Sequence, residues 1–180
     1  GLARISLAMG IETSGSDAKN SSALEDLTRL GAQTYVGHSE VNVNSNQVVV
    51  ISSAIPDSNP ELKKAKELGL SILSRAKLLA LFMEKKKSIA VAGTHGKTTT
   101  TSMLTVALQS LGLDPSFAIG GTINRGGTNA HNGTGEYFVA EADESDGSLI
   151  EYHPYGAIIT NIELDHVDNF PNIEAIMEIF

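Results

Sequence analysis

The sequence contains no cysteine, which excludes a disulfide framework and a thiolate metal site and fits a reducing cytosol. Basic residues are scarce: 13 Lys and Arg stand against 21 Asp and Glu, a formal net charge of −8 with no basic stripe. That excludes nucleic-acid binding through a general electrostatic footprint. Long hydrophobic runs are missing as well. "LLALFM" at 78–83 falls far short of the roughly 20 apolar residues of a membrane span, and no secretory signal pattern is visible. Proline is sparse, with 5 residues in 180, whereas 17 glycines and 41% hydrophobic residues make a globular composition, enough for one full domain or two small ones.

Apolar helical patterns alternate with short strands. "LARISLAMG" reads as a helix capped by Gly10, and "SALEDLTRLG" places Leu24, Leu27 and Leu30 at helical spacing before Gly31. "NPELKKAKELG" has Pro60 at its start, a carboxylate early and lysines later, and Gly69 after its last turn, which are helix signposts in the order the dipole favours. Between these helices lie "ETSGSD", "QTYVG", "QVVVISSAI" and "LSILS", the third apolar on both faces and so expected as a buried parallel strand over 47–55. After "RAKLLALFM", the run "EKKK" at 84–87 reads as a solvated linker or helix end. A second unit then opens with the strand "SIAVA", followed by a helix with an expected apolar stripe of Met103, Ala107 and Leu111 beside Leu104 and Leu108. Three further strands, "SFAIGG", "EYFVAEA" and "YGAIITN", follow, and "GGTINRGGTNAHNGTGE" at 120–136 reads as a long surface loop. The alternation predicts an α/β chain with parallel sheets, in two units over 1–87 and 88–180. "GLARISLAMG" reads as a helix already under way and "PNIEAIMEIF" as one just beginning, so the sequence is expected to be a piece of a longer chain.

The stretch "IAVAGTHGKTTTT" at 89–101 carries the first chemistry. It approximates the phosphate-loop pattern G-x-x-x-x-G-K-[ST], with Val91 in place of the first glycine. Its context satisfies the requirement that such a loop follow a strand and open a helix. Gly93 and Gly96 permit close approach of phosphate oxygens to backbone N–H groups, and the helix N-terminus adds partial positive charge. Thr94, His95 and Thr99 complete the loop. Lys97 can reach terminal phosphates, and the Thr98 hydroxyl can ligate Mg²⁺. Glu141 ends the strand "YFVAE" at the carboxyl rim where parallel sheets bind ligands, a place suited to nucleotide-bound Mg²⁺. Asp143, Glu144 and Asp146 follow it directly. Asp165 and His166 in "IELDHVD" point to a second metal position on that rim. The guanine-reading string N-K-x-D and the switch D-x-x-G of regulatory GTPases do not occur. In the first half, Asp17, His38, Ser52 and Ser53 sit at strand ends facing a nucleotide-binding crevice; Arg125 and Asn129 lie in the glycine-rich loop.

"GTHGKTTTTSM", "EADESDGS" and "TNIELDHVD" together resemble the Mur ligase family, ATP-dependent amide-bond formers of peptidoglycan synthesis. "SGSD", "GH", "SSAIPDSNPE" and "SRAKLLALFM" resemble that family's UDP-substrate domain, which implies a Rossmann-like domain over 1–87 that is expected to lack its first strand and Gly-rich loop, and over 88–180 the first part of the family's P-loop ATPase α/β domain. The resemblance implies ATP and Mg²⁺ as cofactors, and UDP-N-acetylmuramate with L-alanine as substrates. A related member that recycles a tripeptide onto the same sugar nucleotide shares "GTHGKTTT", whereas "DESDGS" favours alanine; the alternative for this piece in isolation is a nucleotide-binding module without turnover. It further implies an acyl phosphate formed from the sugar's lactyl carboxylate and opened by the amine. Lys97, Glu141 and His166 are the implied catalytic residues, with Thr98, Glu141 and His166 holding metal. Asp17, His38, Ser52, Ser53 and Asn129 are the implied substrate contacts.

Overall fold

The computed structural model describes residues 1–123, 127–143, 148–163 and 172–178. It divides into two compact units, residues 2–78 and residues 79–180 together with Gly1. Among the described residues, no helix is long and apolar enough to cross a membrane.

In the first unit α1 (Leu2–Ala8) precedes two parallel strand pairs. β1 (Ser14–Asp17) pairs with β2 (Gln33–Val36), and β3 (Val49–Ile51) with β4 (Ile72–Ser74). Each pair is joined by a crossover helix, α2 (Ser22–Arg29) in the first and α3 (Pro60–Glu67) in the second, and α4 (Arg75–Met83) follows β4. Both helices start where the sequence offers an oxygen to orphan N–H groups. The Ser21 hydroxyl accepts from Leu24 N at 3.3 Å, and Asn59 Oδ1 accepts from Glu61 N and Leu62 N at 2.9 and 3.2 Å. Leu24, Leu62 and Ala65 face inward. The expected buried strand over 47–55 is corrected: β3 is short, and Val48 and Val50 are 58% and 38% exposed. Among the described residues β3 has a partner on one side only, so it lacks the double cover that makes a continuous apolar run a buried strand.

In the second unit β5 (Lys87–Ala92), β6 (Ser116–Ala118), β7 (Ala130–His131), β8 (Tyr137–Glu141) and β9 (Gly156–Ile159) form one sheet in the order β7-β6-β8-β5-β9. Only β7 runs antiparallel to its neighbour. Val91, Phe117, Ile119, Ile123 and Val139 make the core. Over it lies α5 (Lys97–Ser110), which follows β5 through residues 93–96. β5 is flanked by β8 and β9, so its end and theirs open onto one rim.

Three expectations are corrected here. The face of α5 that packs is Leu104 and Leu108 with fully buried Thr101 and Thr105, whereas Met103 and Leu111 are 61% and 73% exposed. The threonines are buried because their hydroxyls are satisfied within the helix, Thr101 Oγ1 donating to Lys97 O and Thr105 Oγ1 to Thr101 O, each at 2.8 Å. Residues 120–136 are not a plain surface loop. Ile123 and Ala130 are buried and β7 pairs with β6, because two glycines let the chain lie flat on its neighbour: a Cβ on Gly133 would fall 2.1 Å from Asp114 O, and one on Gly135 1.8 Å from Leu113 O. "EKKK" does close a helix, Glu84 N donating to Ala80 O at 2.9 Å, but it is not wholly solvated. Lys86 Nζ donates to Gly133 O and Gly135 O at 2.5 and 2.8 Å, and Lys87 is the first residue of β5.

Candidate functional site

The turn from β5 into α5 is shaped by two glycines in the positive-φ region, Gly93 at +128° and Gly96 at +82°, the latter capping the helix. A side chain at Gly93 is excluded by space as well as by φ, since a Cβ would fall 2.2 Å from Thr160 Oγ1 and 2.8 Å from Asn161 O. The first half of the turn is stitched to the segment after β9. Thr94 N donates to Asn161 O at 3.0 Å, and the Thr94 hydroxyl donates to Glu163 O and accepts from Glu163 N at 3.2 and 2.9 Å. Asn161 clamps His95 through both ends of its side-chain amide: its Oδ1 accepts from His95 N at 3.0 Å, and its Nδ2 donates to His95 O at 3.1 Å. Thr160 Oγ1 lies within hydrogen-bonding distance of both Ala92 O and His95 O, at 3.2 and 2.6 Å. Thr94 is therefore buried as an anchor of the turn rather than displayed at its surface, while His95 is exposed.

The second half of the turn faces the neighbouring strands. The first intrahelical bond is Thr100 N to Gly96 O at 2.9 Å, so the N–H groups of Lys97, Thr98 and Thr99 come before the helical ladder begins. Lys97 Nζ folds over the turn, donating to Gly93 O at 2.7 Å and Thr94 O at 3.4 Å. Thr98 Oγ1 donates to Glu141 Oε1 at 2.8 Å, and the other carboxylate oxygen accepts from Gly120 N at 2.7 Å. Three strand ends thus converge: β5 brings the turn, β8 brings Glu141 and β6 is followed by Gly120. Glycine at 120 and 121 keeps that approach open, because added Cβ atoms would lie 3.1 Å from Glu141 Oε2 and 3.0 Å from Thr98 Cγ2. A hydroxyl beside a carboxylate is a hard oxygen-donor set, the kind that takes Mg²⁺ with water and phosphate oxygens filling its other positions. Among the described residues no group of three or more His, Cys, Asp or Glu side chains gathers into a metal site. Arg125, Glu144, Asp146, Asp165 and His166 lie outside the described residues. A cavity of about 720 Å³ sits at the opposite end of β5, between Lys85–Ser88 and His153–Tyr155, away from the rim where parallel sheets bind ligands.

The other predicted residues fall in separate places. Asp17 ends β1, exposed, accepting from Lys19 N at 3.1 Å, and lines a cavity of about 170 Å³ with Ser14, Ser16, Ser21 and Thr34. His38 follows β2 and contacts Ser16 and Glu61. Ser52 and Ser53 lie just past β3, Ser53 exposed. Asn129 belongs to the second unit, its carbonyl accepting from Ile119 N at 2.9 Å; the structure does not bring it together with Asp17, His38, Ser52 and Ser53 within one unit.

Two family models match this chain end to end in succession: "Mur ligase family, catalytic domain" over residues 1–87 and "Mur ligase middle domain" over residues 91–180. The chain belongs to the Mur ligase family. It is 53% identical over 180 residues to a UDP-N-acetylmuramate–L-alanine ligase of Renibacterium salmoninarum, covering 100% of this chain and 39% of that protein. Two solved structures match at a TM-score of 0.86 and 32% identity. One is the UDP-N-acetylmuramate-alanine ligase of Thermotoga maritima (97% of this chain, 41% of that one); the other is the UDP-N-acetylmuramate:L-alanyl-γ-D-glutamyl-meso-diaminopimelate ligase of Neisseria meningitides (100% and 62%). This Mur ligase chain spans about two fifths of the length of the curated relatives it matches, 39% for the first.

Sequence reasoning missed the roles of Thr160, Asn161 and Gly120. Thr160 and Asn161 end the strand "YGAIITN", a visible signal, but only the parallel pairing of β5 with β9 sets them against the turn. Gly120 acts through a backbone N–H, which has no side-chain signature.

Proposed function

We propose that this chain is part of an ATP-dependent amide-bond ligase that joins L-alanine to UDP-N-acetylmuramate in the cytoplasm. Residues 1–87 are assigned to the sugar nucleotide and residues 88–180 to ATP. The single observation that carries the reading is the convergence of the β5–α5 turn, Lys97, Thr98 and Glu141 on one rim. The names of the Renibacterium salmoninarum and Thermotoga maritima relatives support alanine as the amine.

The chemistry sets a charge problem: the lactyl carboxylate of the sugar nucleotide must attack the γ-phosphorus of ATP, an anion approaching an anion. The new carboxylate–phosphorus bond displaces ADP; the neutral amine of alanine then adds to the acyl carbon, loses a proton, and expels inorganic phosphate. Positioning and charge neutralisation are what a protein contributes to such transfers. In this reading the N–H groups at the start of α5 and the Lys97 ammonium hold phosphate oxygens. Lys97 must leave the carbonyls of Gly93 and Thr94 to do so. Glycines at 93 and 96 keep side chains out of the phosphate's way. Thr98 and Glu141 would hold Mg²⁺, which when bound neutralises charge on the phosphate oxygens; His166 is proposed as a further ligand. Glu141, already tied to Gly120 N, is pre-oriented for that task. Thr94, through Asn161 and Glu163, keeps the turn in shape.

The test is ADP release by the complete enzyme in the presence of UDP-N-acetylmuramate, with and without L-alanine, for the parent and Lys97→Ala. The expected result is alanine-dependent turnover that falls ~10²-fold or more in the variant, the scale of losing one charge contact to the transition state. A near-parental rate in Lys97→Ala would overturn the site assignment. Turnover with tripeptide and none with alanine would transfer the reading to the recycling reaction.

A further inference from the structure

A five-residue polar cluster lies at the carboxyl end of the β1–β2 pair, on the rim where parallel sheets bind ligands. Ser16 in β1, His38 beyond β2, Ser39 and Asn42 around the 3₁₀ turn Glu40–Asn42, and Glu61 in the first turn of α3 meet there. Glu61 is the hub. Its Oε2 takes the Ser16 hydroxyl at 2.5 Å and lies 3.3 Å from His38 Nδ1, while Oε1 takes Asn42 Nδ2 at 2.7 Å and Ser39 N at 3.4 Å. Ser16 Oγ is also 2.8 Å from His38 Nδ1. Burial pushes the Glu61 carboxyl up, but the donors Ser16, Asn42 and Ser39, with His38 beside it, outweigh that and leave it below the usual glutamate value. Glu61 is therefore an ionised acceptor.

Counting protons settles the direction of every bond. The Ser16 hydroxyl has one hydrogen, and a carboxylate has none. The short contact to Glu61 takes that hydrogen, as O–H···O⁻ bonds of about 2.5–2.7 Å do. Ser16 Oγ can then only accept from Nδ1, so Nδ1 carries hydrogen. The 3.3 Å approach of Nδ1 to Glu61 Oε2 demands the same proton, since a bare Nδ1 lone pair would face a carboxylate. In the neutral ring, Nε2 is left as the acceptor, and it has no protein partner among the described residues.

We propose that Glu61 is a positioning residue: acting directly and through Ser16, it fixes His38 as the Nδ1–H tautomer and so presents Nε2 as the acceptor for an N–H or O–H donor of the sugar nucleotide. This rests on assigning residues 1–87 to the sugar nucleotide. It adds that His38 reads a donor and not a phosphate oxygen, which a neutral Nε2 would repel.

Long-range ¹H–¹⁵N spectra of ¹⁵N-histidine-labelled protein in mildly alkaline buffer test it, because neutral imidazole nitrogens with and without hydrogen are well separated. The chain has five histidines, and His38→Gln identifies the relevant signals. The expected spectrum shows His38 Nδ1 protonated and Nε2 bare, with UDP-N-acetylmuramate moving the Nε2 signal. Glu61→Gln is expected to shift Nε2 toward the protonated position and, in the complete enzyme, to raise KM for the sugar nucleotide about tenfold, the weight of one well-made polar contact, leaving KM for ATP in place. Should Glu61→Gln not fold, Ser16→Ala serves: Glu61 alone keeps Nδ1 protonated there. A parent spectrum with Nε2 protonated overturns the inference. If the Asp17 and Ser52 amides respond to the sugar nucleotide while Nε2 does not, the inference fails and the substrate assignment stands. If none responds, the assignment fails and takes the ligand's role with it.

Discussion

Replacing Gly93 by alanine places one methyl group where the structure has no room. The Cβ would sit 2.2 Å from Thr160 Oγ1, 2.8 Å from Asn161 O and 3.0 Å from Asn161 N, at a φ of +128°. Holding a side chain at positive φ costs about 1–2 kcal/mol, and forcing a methyl into filled space about 1–3 kcal/mol. The sum, about 2–5 kcal/mol, is a large part of the roughly 5–15 kcal/mol that holds a domain folded. The backbone cannot escape easily, because Asn161 is bound to Thr94 and His95 through three hydrogen bonds of 3.0–3.1 Å. Gly112→Ala is the control: its φ is +75°, yet nothing lies within 4 Å of the added Cβ, so only the backbone cost of about 1–2 kcal/mol applies. Urea unfolding of both variants, with titration of a non-hydrolysable ATP analogue, gives the comparison. We expect Gly93→Ala to lose at least about 1 kcal/mol more than Gly112→Ala and to lose nucleotide binding, which the control keeps. Equal stability and equal binding in the two variants would refute the packing argument.

Other outcomes follow from the same geometry. Glu141→Gln retains an acceptor for Gly120 N but removes the negative charge, so Mg²⁺-dependent nucleotide affinity should fall about tenfold or more, read as the Mg²⁺ dependence of binding. Thr105→Val removes a fully buried hydroxyl whose partner, Thr101 O, lies in a helix; stability by denaturant unfolding should stay within about 1 kcal/mol or rise. The Asp114 carboxyl is held down at about 2, first by the Thr134 backbone N–H, then by His131 and the Thr134 hydroxyl. Its folded value is below its ordinary 3.8, so its contribution is present above pH 4 or so and is lost as pH falls toward 2. Asp114→Asn tolerates the left-handed φ of +37° and should cost about 1 kcal/mol at neutral pH after solvent screening, with the gap to the parent closing in acid; a pH-independent gap would contradict this.

What the sequence made legible was local. "SIAVA", the glycines at 93 and 96, and the threonine-rich helix start placed the β5–α5 turn, because strand, turn and helix signals there are contiguous and each has one physical meaning. Glu141 was placed by ending an apolar strand. The α5 stripe was misread because threonine counts as polar in a periodicity argument, whereas a threonine bonded to its own helix can be buried. β3 was misread as buried because an apolar run does not say how many strands flank it. Lys86 was assigned to solvent because nothing in "EKKK" tells which lysine has carbonyls within reach. Asn161, Gly120 and Glu61 act across sequence separations of 66, 21 and 45 residues, and only the sheet order brings them to their partners.

The most direct test of the central claim is calorimetric titration of this chain with Mg²⁺ and a non-hydrolysable ATP analogue, alongside Lys97→Ala. The account predicts saturable, Mg²⁺-dependent binding by the parent that is lost or weakened at least about tenfold in the variant. Binding of equal strength in both, or none by a folded parent, would contradict the assignment of the β5–α5 turn as the phosphate site.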